Sequence, residues 1–79
     1  MTRGLKKLTQ EDIQRINQIV TGYPYDIWIH GQSGMADAKS ILGLFLLSLN
    51  EDLMIVVEDD INCNALLKDL DAYLLPEEE

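Results

Sequence analysis

The sequence predicts an α+β domain, a small antiparallel sheet covered on one face by three helices and open on the other. Three observations predict it. Residues 25–30 and 53–57 are rich in aromatic and β-branched side chains and have strand character. Three other stretches carry apolar residues at helical spacing behind a capping residue. The chain of 79 residues, 47% apolar, has material for one core and therefore one domain over 1–79.

Residues 1–8 carry Arg3, Lys6 and Lys7 and no strong pattern, which predicts an arm or a vestigial first strand. Thr9 precedes Gln10-Glu11-Asp12, a helix start with an acidic first turn, close to a capping box. Ile13, Ile16, Ile19 and Val20 mark one helical face. Gly22, after Thr21, is placed to cap the end. Tyr23-Pro24 restarts the chain in an extended conformation. In the strand that follows, Ile27 and Ile29 share one face and Trp28 and His30 the other. Gly31-Gln32-Ser33-Gly34 is a turn signal, and Met35-Ala36-Asp37 is its return strand.

Ser40 opens the second helix, which is expected to run toward Leu49 and stop at Asn50-Glu51-Asp52. Ile41, Leu44 and Leu47 recur along one side, but Leu42, Phe45, Leu46 and Leu49 are apolar too. A helix apolar nearly all round is either buried or offers a docking surface. Ile41 and Leu44 are assigned to the core, Leu42 and Phe45 to an exposed patch. Residues 53–57 form the last strand and Glu58-Asp59-Asp60 an acidic turn. Asn62 caps the final helix, whose inner face is Ala65, Leu66, Leu70, Tyr73 and Leu74. Pro76 and the acidic tail Glu77-Glu78-Glu79 close the domain.

A formal net charge of −8 excludes nucleic acid and anionic membrane surfaces as natural partners, because phosphate binding relies on clustered Lys and Arg. The longest apolar run, residues 41–49, is interrupted by Gly43 and Ser48 and is too short to span a bilayer. The first residues lack the apolar core of a signal peptide. Cys63 is the single cysteine, so no internal disulfide forms and no metal-type spacing exists. These features predict a cytoplasmic protein without a cofactor.

From Tyr23 to about Leu74 the order of elements resembles HPr, the phosphocarrier protein of the bacterial sugar phosphotransferase system. The most specific part is Ala38-Lys39-Ser40-Ile41-Leu42-Gly43-Leu44-Phe45-Leu46-Leu47, which is similar to the family's regulatory-serine region. The strand Asp26-Ile27-Trp28-Ile29 and the turn Gly31-Gln32-Ser33-Gly34 lie at the family's distance from that serine. The resemblance implies an open-faced sandwich with the first strand on a sheet edge beside the last. It also implies Ser40 as a regulatory phosphorylation candidate and a docking surface of Lys39, Ser40, Ile41, Leu42, Phe45 and Leu46.

The family presents its phosphoacceptor in a Gly-Leu-His-Ala-Arg-Pro type motif at the first helix start. Gly4-Leu5 echoes that motif and puts Lys6 at the histidine position. Counting back from Ser40 puts Thr9 there instead. Neither side chain replaces an imidazole in reversible phosphoryl relay. The expectation is therefore a divergent, non-enzymatic member that binds proteins, including phosphotransferase-system or regulatory proteins, without histidine phosphocarrier activity. Two alternatives stand beside it. One is a divergent phosphocarrier using an unexpected residue such as His30, the only histidine. The other is an acyl-carrier-like protein with Ser40 as the attachment site. With a first strand short or missing, the strand bounded by Leu53 and Val57 would be an open edge, which predicts a homodimer through it.

Overall fold

In the computed structural model, which describes residues 1–47 and 49–77, the elements run β1 (Thr2–Gly4), α1 (Gln10–Val20), β2 (Trp28–Gly31), β3 (Gly34–Asp37), α2 (Ile41–Phe45), β4 (Met54–Val56) and α3 (Asn64–Asp69), closing with a 3-10 turn at Asp71–Tyr73. The four strands form one antiparallel sheet in the order β1-β4-β2-β3. Because side chains alternate across a strand, Ala36, Ile29 and Ile55 share a row on the helix-covered face. The opposite, uncovered face carries the rows Asp37, Trp28, Val56, Thr2 and Met35, His30, Met54, Gly4. Ile13, Ile16 and Val20 of α1, Leu44 of α2 and Leu66 of α3 are buried against Ile29 and Ile55. No helix among the described residues is long and apolar enough to cross a membrane.

The first strand is short but present, and this closes the edge that the sequence leaves open. Thr2, Arg3 and Gly4 pair with Val56, Ile55 and Met54. Bonds continue beyond both ends, from the Leu5 amide to the Leu53 carbonyl at 2.9 Å and from the Val57 amide to the Met1 carbonyl at 2.8 Å. Strand β4 is therefore interior, between β1 and β2, and a homodimer through Leu53 and Val57 has no free backbone there to use. The far side of β1 is partly covered as well. The Leu75 amide donates to Gly4 at 2.9 Å, the Lys6 amide donates to Tyr73 at 2.8 Å, and Leu5 bridges Leu74.

Helix α1 begins where its cap predicts. The Thr9 hydroxyl accepts the Asp12 amide at 3.1 Å while the Thr9 amide donates to Asp12 Oδ2 at 2.9 Å, a complete capping box. Its end differs from expectation. Gly22 is not left-handed, and the helix closes instead through the Thr21 amide to Asn17 at 3.1 Å and the Gly22 amide to Ile19 at 3.2 Å. Strand β2 starts three residues later than its composition suggests, since pairing begins only where Ile27 accepts the Ala38 amide at 2.9 Å. Tyr25 and Asp26 have no strand opposite them. The β2–β3 turn is held by Glu51, whose Oε1 accepts the Ser33 amide at 3.1 Å and the Ser33 hydroxyl at 2.9 Å.

Helix α2 is much shorter than expected. It has five residues, and after Phe45 the chain tightens into i→i+3 bonds, Leu46 to Gly43 and Leu47 to Leu44, both 3.2 Å. Gly43 in its centre weakens a helix by roughly 0.5–1 kcal/mol relative to Ala. Ser48, within the expected helix, lies outside the described residues, as do Glu78 and Glu79 of the acidic tail. Asn62 stands one residue ahead of the cap position of the last helix, which Cys63 occupies without a side-chain capping bond, and its Oδ1 accepts the Asn64 amide at 3.0 Å. Leu66, Leu70 and Leu74 are buried and Tyr73 half-buried, but Ala65 is exposed because it falls beside the buried stripe.

Candidate functional site

Ser40 is extended and its Oγ accepts the Gly43 amide at 3.2 Å, so it caps α2. The residues around it fix the start of the helix. The Ser40 amide donates to the Asp37 carbonyl and the Lys39 amide to Asp37 Oδ1, both at 2.9 Å. Asn17 Nδ2 donates to the Ala38 carbonyl at 3.0 Å, tying this corner to α1. Lys39 is drawn inward: its ammonium donates to the Tyr23 carbonyl at 2.6 Å and the residue is half-buried. Of the docking set expected from the sequence, Lys39 thus has its charge occupied within the molecule.

The apolar residues of this segment divide between core and surface as their assignment predicts. Leu44 is fully buried and Ile41 half-buried against the core. Leu42 is 75% exposed, Leu46 87% and Phe45 44%, so one short helix and its cap present three large apolar side chains to solvent. Beside them a cavity of about 280 Å³ opens between α1 and α2, lined by Gln10, Ile13, Leu44, Phe45, Leu47, Leu49 and Asn50. Its lining places the end of α2 by the start of α1, whereas Ala38, just before Ser40 and α2, is bonded by Asn17 further along α1. The two helices therefore run in opposite senses, and Ser40 and Thr9 stand at opposite ends of the pair.

The other candidates are dispersed. Thr9 is engaged in its capping box, and Lys6 is exposed on the connection after β1. Among the described residues, no side chain hydrogen-bonds His30, which lies in the uncovered face between Met35 and Met54. Cys63 is a buried free thiol. No group of three or more His, Cys, Asp or Glu among the described residues is disposed to hold a metal ion.

Three polar features were not assigned a role by the sequence. The Tyr23 hydroxyl donates to Asp69, joining the segment after α1 to α3. This bond, with burial and the negative charge of Asp69 added to it, pushes the Tyr23 phenol up to about 12. The second feature is the Glu51 clamp. The third is Asp59, whose carboxylate accepts the Met1 ammonium at 2.7 Å and is held below its ordinary pKa by that bond. None has a local sequence signal, since each joins residues far apart in the chain.

Comparison of the chain with protein-family models, with curated proteins and with solved structures returns no match.

Proposed function

We propose that this chain is an HPr-like regulatory or protein-binding module that docks partners through Leu42, Phe45 and Leu46, without histidine phosphocarrier chemistry. The observation that carries this reading is the exposure of Leu42 and Leu46 on an element whose opposite side is sealed into the core by Leu44. Large apolar side chains exposed together on one element mark protein-interaction surfaces. The strand at the sheet edge beside the last strand, and a serine capping the second helix, are consistent with the resemblance in the sequence. The four-stranded sheet is not the all-helical bundle on which the acyl-carrier alternative rests.

A single preparation tests both halves of the proposal. The protein is incubated with phosphoenolpyruvate and the general phosphotransferase components, and its intact mass is measured. No acid-labile phosphate gain is expected. Calorimetric titration with phosphotransferase-system proteins is expected to show binding that falls at least tenfold in a Leu42→Ser/Leu46→Ser variant. Binding indifferent to that variant, or absent throughout, overturns the docking proposal. An acid-labile phosphate mapped to His30 replaces it with the divergent phosphocarrier.

A further inference from the structure

On the side of the molecule away from the helices, the sheet carries an uncovered apolar surface. Met35 is 56% and Met54 44% exposed, and His30, Trp28 and Val56 are half-buried between and beside them. An open groove of about 550 Å³ continues from it, lined by Thr2, Trp28, Val56 and Val57 and by the acidic turn Glu58-Asp59-Asp60. The charges around this surface are one-sided. Asp37 ends the row Asp37, Trp28, Val56 on the β3 edge, and Glu58 and Asp60 stand exposed at the groove. Asp59 holds the Met1 ammonium, but Glu58 and Asp60 have no cation against them among the described residues. Arg3, whose register position is on the helix-covered face, is on the Leu75 carbonyl and Glu77, and Lys39 is on the Tyr23 carbonyl.

We infer that the uncovered sheet face is a second interaction surface, and that its occupant is a basic, apolar-centred peptide segment of another protein. The row from Asp37 through Trp28 and Val56 to Thr2 crosses four strands, and at about 4.8 Å per strand it spans roughly 14 Å. That is the reach of about four to five extended residues. A segment with an apolar middle lies over Trp28 and Val56, with one cation toward Asp37, whose carboxylate also accepts the Lys39 amide, and the other toward Glu58 and Asp60, which line the groove with Thr2. A guanidinium also gains from the face of an indole, and methionines adapt to varied apolar shapes. A second copy of this chain fits poorly, because it brings the same acidic turn to a surface that lacks free cations.

Trp28 is the only tryptophan, so its fluorescence reports this face directly. The probe is a short peptide with arginines flanking an isoleucine–leucine centre, compared with one bearing glutamates for arginines and one bearing glycines for the apolar centre. The first is expected to give a saturable change in Trp28 emission. Affinity is expected to drop at least tenfold with either control peptide and with Glu58→Lys/Asp60→Lys. A Met35→Asn variant weakens it independently of charge, and far-UV circular dichroism verifies that each variant is folded. Leu42→Ser/Leu46→Ser leaves it within twofold, which separates this surface from the α2 docking proposal. The inference is overturned if emission does not change, if the glycine-centred peptide binds as tightly, or if the charge-reversed variant binds as well as the parent.

Discussion

Ile16 shows how little surrounding structure some predictions need. It lies on the apolar stripe of α1, three residues after Ile13, and both are fully buried. Ile16→Ala is expected to cost about 3 kcal/mol, from lost burial plus a residual cavity, seen as a lower urea midpoint with an unchanged slope. Tyr23 is the opposite case, because its partner Asp69 lies far along the chain. Its raised pKa means that the folded state favours the protonated phenol. The stabilisation it provides is complete below the ordinary value of 10.0 and is lost as pH rises toward about 12. Burial also raises the Tyr25 phenol, so near-UV absorbance should show two phenols ionising late in the parent and one in Tyr23→Phe, and the stability difference between the two should shrink across that window.

The elements reveal which local signals survive folding. The caps of α1 and α2 were legible because capping chemistry is contained within four residues, Thr9 to Asp12 and Ser40 to Gly43. Thr9→Ala is expected to destabilise the fold by about 1 kcal/mol, measured by thermal unfolding. The length of α2 was not legible. Its apolar run continues past Phe45, yet the helix ends there in a tighter turn in which the Leu46 and Leu47 amides reach back to Gly43 and Leu44. The same limit applies to the β2–β3 hairpin. The turn residues announce it, but the Glu51 carboxylate that secures it comes from the connection before β4. That carboxylate and Leu53 fill the space where a side chain on Gly31 would project. Gly31→Ala must displace both and is expected to cost about 1–3 kcal/mol by overpacking, whereas Ser33→Ala loses only the hydroxyl bond. At Gly34, φ of +150° places the residue where L side chains are rarely found, so substitution there is strained even in open space.

Across the whole molecule, sheet order decided what composition left open. The alternation of Ile27 and Ile29 with Trp28 and His30 announced a two-faced strand, and the buried face was legible in those residues. The partner of the first residues was not, because Thr2–Gly4 has no strand pattern of its own and is specified by the edge it completes. Removing residues 1–4 is expected to uncover β4 and produce concentration-dependent association in sedimentation velocity, while the full chain shows none through that edge. If the truncated protein stays monomeric at high concentration, the exposed edge is protected by something other than β1.

The pairing of Thr2 with Val56, and of Gly4 with Leu75, also sets a schedule. During synthesis at roughly 5–20 residues per second, the first strand leaves the ribosome seconds before its neighbour exists. Such distant closures are slow compared with local ones. The nascent chain can wind its first helix and bend its hairpin early, but the centre of its sheet stays unfinished until β4 has cleared the exit tunnel.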